Sequence, residues 1–197
     1  MKKEIKVIIV GVFASLLVIF GICAVTIHQS QLSGMPRETH SADISTSQFI
    51  KQVAPAAQRE QKRYQIPASI TIAQAGLESE WGRSKLGYKY NNLFGMKATK
   101  GDERVRMYTI ENINGHKRYL PAYFAVYESW ADSIDAHTDL IINGTHDDHA
   151  RFKSVRTGTD YETAARELQR HGYATDPDYA NKLVYAIKKF NLAQYDH

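Results

Sequence analysis

Ile66-Pro67-Ala68-Ser69-Ile70-Thr71-Ile72-Ala73-Gln74-Ala75-Gly76-Leu77-Glu78-Ser79-Glu80-Trp81-Gly82 is the stretch on which the fold turns. Pro67 suits the first turn of a helix, where its missing N–H costs nothing. Ile70, Ala73, Leu77 and Trp81 then recur at the spacing of one buried helical face, and Gly82 and Gly87 are expected to end the helix. At 100° per residue, Ile70, Leu77 and Trp81 cluster within about 40°, with Glu78 roughly 80° away on one flank and Glu80 on the other. A carboxyl at such a margin is partly desolvated, which raises its pKa and keeps it protonated as a general acid. A solvated helix-edge glutamate has the same spacing, and the wheel does not choose between Glu78 and Glu80.

Outward from this helix, Ser47 starts an earlier one carrying Phe49, Ile50, Val53 and Ala57, with Pro55 placed to bend or delay it. Tyr90-Asn91-Asn92-Leu93-Phe94-Gly95 reads as a structured loop. Between Glu103 and Tyr127 the pattern alternates around Asn112-Ile113-Asn114-Gly115, which predicts a β-hairpin with Pro121 at an edge or bulge. Helices return after Ser129 and Asp132, a capping arrangement followed by Trp130, Ile134, His137 or Thr138, and Ile141, with Asn143-Gly144 as the stop. Asp160 caps a short helix through Leu168 ended by Gly172, and Asp176-Pro177 opens the last, with Tyr179, Leu183, Ile187 and Phe190 inward. The expected fold class is α+β, mostly helical with one β-hairpin lobe and a cleft between the two parts.

The N-terminus reads as an address. Residues 1–6 carry the positive charge and stay cytoplasmic; residues 7–27 hold no charge and are long enough for a helix across a bilayer. With no Ala-x-Ala behind it, this run is expected to be an uncleaved transmembrane signal anchor, which places the remainder outside the cell. Residues 28–46 read as a flexible linker, and 47–195 as the catalytic domain. Cys23 is the only cysteine and lies in the anchor, so the outer domain has neither a disulfide nor a thiol nucleophile. The net charge of +4 falls to about +2 outside the first six residues, a balance that suits a polyanionic wall and not a nucleic acid.

The stretch 66–82 resembles the signature of the bacterial peptidoglycan N-acetylglucosaminidases of glycoside hydrolase family 73. The similarity continues through Asn91-Asn92-Leu93-Phe94-Gly95-Met96-Lys97, the hairpin, Phe124-x-x-Tyr127-x-Ser129 and Gly172-Tyr173-Ala174-Thr175-Asp176-Pro177-x-Tyr179-Ala180. Ala125 stands where that family often has arginine. The resemblance implies a lysozyme-like fold in which Glu78, the glutamate of Leu-Glu-Ser, protonates the leaving glycosidic oxygen, while Glu80 is ordinary surface charge. It implies Glu111, in Thr109-Ile110-Glu111-Asn112, as the second carboxylate, and Tyr173 as a catalytic helper. Asn92, Phe94, Tyr127 and Tyr179 are implied to line the sugar site. Loop and core braces would show the same residue types at Phe94 and Tyr173.

The implied reaction is hydrolysis of the β-1,4 bond between N-acetylglucosamine and N-acetylmuramic acid in peptidoglycan strands, by a monomeric, membrane-tethered autolysin facing a Gram-positive wall. No cofactor is expected. His146-Asp147-Asp148-His149 reads as a solvated turn, and no metal is expected there. The alternatives are a muramidase or lytic transglycosylase of the same fold, a non-catalytic wall-binding protein, and a hydrolase of host glycoprotein glycans.

Overall fold

The structure is a computed structural model that describes residues 37–113, 116–157 and 160–196, without the side chains of 110–113, 116–117 and 157. The apolar run 7–27 and the linker as far as residue 36 lie outside the described residues. Among the described residues no helix is long and apolar enough to cross a membrane.

The elements run α1 (Thr46–Tyr64), α2 (Ala68–Glu78), α3 (Lys85–Tyr90), β1 (Arg104–Ile113), β2 (His116–Ala125), α4 (Trp130–Asn143), α5 (Lys153–Thr157), α6 (Tyr161–Arg170) and α7 (Tyr179–Lys189), closed by a 3-10 turn at Leu192–Tyr195. The α+β composition is as the sequence predicts. The first helix starts one residue before Ser47 because Ser45 and Gln48 form a capping box: Ser45 Oγ accepts from Gln48 N at 3.2 Å, and Gln48 Oε1 accepts from Ser45 N at 3.0 Å. Pro55 lies inside this helix without ending it. Pro55 and Lys51, whose carbonyl loses its helical partner to the proline ring, are both exposed, so water can satisfy that group.

α2 is the centre of the molecule. The stripe expected from Ile70 and Ala73 is buried, but so are Ser69, Thr71, Gln74 and Gly76 on the remaining faces. Small side chains there let α1, α7, α6 and the 3-10 turn approach together. Its N-terminus, which Pro67 cannot cap with a side chain, is capped from the far end of the chain. Asp196 Oδ1 accepts from Ser69 N at 2.7 Å and its Oδ2 from Ser69 Oγ at 2.6 Å, placing a carboxylate at the positive end of the helix.

The hairpin pairs Arg104 with Ala125 through Ile113 with His116, antiparallel, leaving Asn114 and Gly115 as the connection, which lies outside the described residues. Val105, Met107, Thr109, Leu120, Ala122 and Phe124 share the more buried face. On the other, Tyr108 and Tyr119 stack at 5.0 Å and Arg104 lies over Tyr123 at 4.7 Å, cross-strand contacts that support a sheet of only two strands.

Two readings are corrected by packing. Residues 37–45, read as the end of the linker, are part of the folded body. Arg37 pairs with Glu103 at 2.6 Å, the carbonyl of Glu38 accepts from Asn91 Nδ2 at 3.0 Å, and the His40 ring stacks on Trp130 at 3.5 Å. This strap crosses both flanks of the hairpin base, because Arg37 also reaches Glu128 at 3.4 Å. Gly87, read as a helix terminator, is instead inside α3. Ser84 caps that helix by accepting from Gly87 N at 3.0 Å, and the carbonyl of Gly87 accepts from Trp130 Nε1 at 2.9 Å.

Candidate active site

The sequence Gly76-Leu77-Glu78-Ser79-Glu80-Trp81-Gly82 builds the end of α2 residue by residue. Ser79 Oγ donates to the carbonyl of Ala75 at 2.6 Å and accepts from Gly82 N at 2.8 Å, which stops the helix and holds the turn that follows. Glu80 and Trp81 then take left-handed backbone, with φ of 56° and 58°. The helical wheel therefore does not extend to them: Glu80 is exposed on the turn, and Trp81 folds back. Its N–H donates to the carbonyl of Gly76 at 2.7 Å and its ring lies on Gly76, where a Cβ would meet ring carbons at 2.6 Å. Gly82 combines a φ of 82° with Phe49 and Trp130 rings 2.7 and 2.8 Å from where a Cβ would stand. The fold-back leaves Glu78 as the last helical residue.

Glu78 is partly accessible at residue level while its carboxyl is packed round by protein. Burial raises its pKa from 4.5 to about 7, and a hydrogen bond from Tyr179 opposes that rise without cancelling it. The negative end of the α2 dipole also disfavours the charged form. The Tyr179 hydroxyl donates to Glu78 Oε1 at 3.1 Å and accepts from Gln74 Nε2 at 3.3 Å. Tyr173 stacks on Tyr179 at 5.7 Å, His137 meets Tyr173 edge-on at 5.7 Å, and Phe94 stacks on His137 at 3.9 Å. Burial holds both phenols well above their usual range, and the charge of Glu78 raises both further. The same burial pushes the His137 imidazole down to about 3. The result is a run of packed rings that ends on one carboxyl whose pKa of about 7 leaves a large share of it protonated at neutral pH, the property a general acid needs.

The other expected site residues divide. Tyr179, read as a cleft-lining residue, is the one bonded to Glu78, whereas Tyr173 is buried behind it between Tyr179, His137 and Phe152. Asn92 is buried with its amide fully engaged: Nδ2 donates to the carbonyls of Met96 and Ala125, each at 2.9 Å, and Oδ1 accepts from Met96 N at 3.0 Å. With no polar atom left for a sugar, Asn92 is a brace between the loop and β2. Phe94 is likewise a core residue on His137, only 2% exposed. Tyr127 is half-buried, with its N–H bonded to the carbonyl of Tyr90 at 3.1 Å. The backbone of Glu111 sits in β1 opposite Arg118; its side chain lies outside what the structure describes.

Gln74 escaped the sequence reading, although it stands four residues before Glu78 and so on the same helical face. Residues 146–149 form an exposed turn in which His149 Nδ1 lies 3.2 Å from the carbonyl of Asn143. Among the described residues no cluster of His, Cys, Asp or Glu could hold a metal ion.

Residues 54–192 match the family model of the glucosaminidase domain, described as mannosyl-glycoprotein endo-beta-N-acetylglucosaminidase. The chain is 40% identical over 160 residues to the exo-glucosaminidase LytG of Bacillus subtilis, covering 81% of this chain and 56% of that protein. It is 34% identical over 148 residues to the peptidoglycan hydrolase FlgJ of Escherichia coli K12, covering 72% of this chain and 45% of that protein. The chain thus spans about half the length of these curated relatives. Among solved structures it resembles the catalytic domain of the autolysin Auto of Listeria monocytogenes, with a TM-score of 0.72 and 35% identity over 83% of this chain and 92% of that one.

Proposed function

Because this chain belongs to the glucosaminidase family of glycoside hydrolases, we propose that it cleaves the β-1,4 bond between N-acetylglucosamine and N-acetylmuramic acid in peptidoglycan, with Glu78 as the general acid. The observation that carries this reading is the carboxyl itself: buried at a helix end, raised to about 7, and bonded by a phenol at Oε1. A carboxylic acid with that pKa is about half protonated at pH 7 and more so below it, and gives the proton up as charge develops on the leaving glycosidic oxygen. Glu111 on the hairpin, or the acetamido group of the substrate, takes the oxocarbenium side of the reaction. The peptidoglycan assignment draws on the relatives, whose own names describe a glucosaminidase and a peptidoglycan hydrolase.

Residues 7–27 are, in this proposal, the membrane anchor that holds the enzyme outside the cell. Arg37, the first described residue, is already paired with the folded body, and nine residues (28–36) lie between it and the apolar run in sequence. Fully extended they span about 30 Å. The enzyme then works on glycan close to the membrane surface.

The test is digestion of purified sacculi by the parent protein and by Glu78→Gln, with fragments read by mass spectrometry. Fragments ending in reducing N-acetylglucosamine, lost in the variant, are expected. Reducing muramic acid or anhydromuramic ends would overturn the bond assignment, and a fully active Glu78→Gln would overturn the acid.

A further inference from the structure

Gln74 is 1% exposed in the middle of α2 and is the second group that the Tyr179 hydroxyl meets besides Glu78. A phenol has one hydrogen to give. An amide N–H directed at its oxygen occupies an acceptor site and leaves that hydrogen to point elsewhere; here the acceptor in reach is Glu78 Oε1. With the amide reversed, Gln74 Oε1 would take the phenol hydrogen, and Glu78 Oε1 would face a lone pair. The carboxyl would then place its own proton on Oε1, turned away from any substrate. The orientation of one amide thus decides which oxygen of the acid carries the proton.

We propose that Gln74 is a positioning residue for the acid: its N–H holds the Tyr179 hydroxyl as a donor to Glu78 Oε1, so that the proton to be transferred rests on Glu78 Oε2. The inference rests on Glu78 being the general acid. Gln74 Oε1 is buried and accepts from no described protein group, so the amide is engaged through its N–H on the Tyr179 hydroxyl. The ionisable groups facing Glu78 are Tyr179 from α7 and Tyr173 from the connection before it; among the described residues no charged side chain is paired with it.

The telling variant is Gln74→Glu, which keeps the shape and replaces the amide N–H by a carboxyl oxygen able to accept the Tyr179 hydrogen. The Tyr179 hydrogen turns to it, Glu78 loses its donor, and the alkaline limb of the kcat/KM profile on soluble glycan fragments moves up by about one pH unit. The expected companion is a kcat about tenfold lower at unchanged KM. In a Tyr179→Phe background the same substitution is expected to add less than a twofold change, since its route to the acid is gone. An unmoved alkaline limb, or an effect as large in the Tyr179→Phe background, overturns the proposal. Gln74→Met covers the case in which the buried carboxyl introduced by Gln74→Glu prevents folding: it frees the phenol to rotate and should move the limb in the same direction by less, and a limb that does not move at all again overturns it. An inactive Glu78→Gln with an unmoved Gln74 profile sinks Gln74 alone; an active Glu78→Gln sinks both readings.

Discussion

The hydroxyl of Tyr179 lies 3.1 Å from Oε1 of Glu78, joining the end of α2 to the start of α7 across 101 positions of sequence. The bond opposes the effect of burial on the acid, because it favours the carboxylate while desolvation favours the neutral form. Removing it with Tyr179→Phe therefore raises the pKa of Glu78 and moves the alkaline limb of activity to higher pH. A hydrogen bond to a charged group is worth about 1.5–3 kcal/mol, so kcat should fall roughly 10- to 100-fold through lost orientation of the acid. Steady-state rates across pH 5–9 check both; a limb displaced to lower pH would contradict the assignment.

Glu78 also sets how stability depends on pH. Its unfolded pKa is near 4.5 and its folded one about 7, so between those values the folded state holds the extra proton. Stability then falls as pH rises through that window, and above it the buried charge costs roughly 3 kcal/mol. Glu78→Gln removes this cost. The variant is expected to be more stable than the parent at pH 8, with the advantage shrinking to nothing near pH 4, in urea unfolding at the two values.

His137 pulls the other way. Its imidazole is buried with neither nitrogen hydrogen-bonded among the described residues, and its folded pKa is about 3 against 6.5 unfolded. The unfolded chain therefore binds the proton first, and stability is lost as pH falls from about 6.5 towards 3, by roughly 5 kcal/mol in all. Between pH 4.5 and 6.5 the two groups offset one another. His137→Gln, which does not titrate, should keep its stability on acidification where the parent loses it, and combining it with Glu78→Gln should flatten both limbs of the profile.

The helices and the hairpin were legible where one local pattern sufficed. Arg104 to Thr109 alternates at the strand period, and Ser129 and Asp160 cap α4 and α6 as their sequences indicate. Of the predicted site residues, the structure brings Glu78 and Tyr179 into direct contact. A wheel assumes that the helix continues, and α2 stops where Ser79 bonds back to Ala75 and Trp81 packs onto Gly76, a tertiary event. The family resemblance implied Asn92 in the sugar site and Tyr173 as a catalytic helper; their partners, the Met96 and Ala125 backbone and the His137 ring, are visible only in three dimensions. Gly87 looked like a terminator because the Trp130 indole that bonds its carbonyl is 43 residues away.

Gly76 gives the fold-back a direct test. Alanine has the higher helix propensity by about 1 kcal/mol, so Gly76→Ala would stabilise an isolated α2. In the protein its Cβ meets the Trp81 ring at 2.6 Å, and that ring is held by Phe190 at 4.5 Å and Phe49 at 6.0 Å. Overpacking of this kind costs about 1–3 kcal/mol, so net destabilisation is expected, together with loss of activity as Glu78 is displaced. Thermal unfolding equal to or above the parent would show that Trp81 yields freely.

Asn92→Asp separates a brace from a substrate contact with a change of one atom. The amide donates to the carbonyls of Met96 and Ala125, and Ala125 is the last residue of β2. A carboxylate would turn an acceptor onto both carbonyls in a buried position. Each lost donor costs about 1–3 kcal/mol, and the uncompensated charge adds to it. The loop carrying Phe94 would part from the hairpin base. The expected outcome is a drop of several kcal/mol in unfolding free energy at pH 7, partly restored at acid pH as the new carboxyl takes a proton and regains one donor. Whatever protein remains folded should bind glycan with near-parental KM. A variant of parental stability with a raised KM would instead return Asn92 to the sugar site.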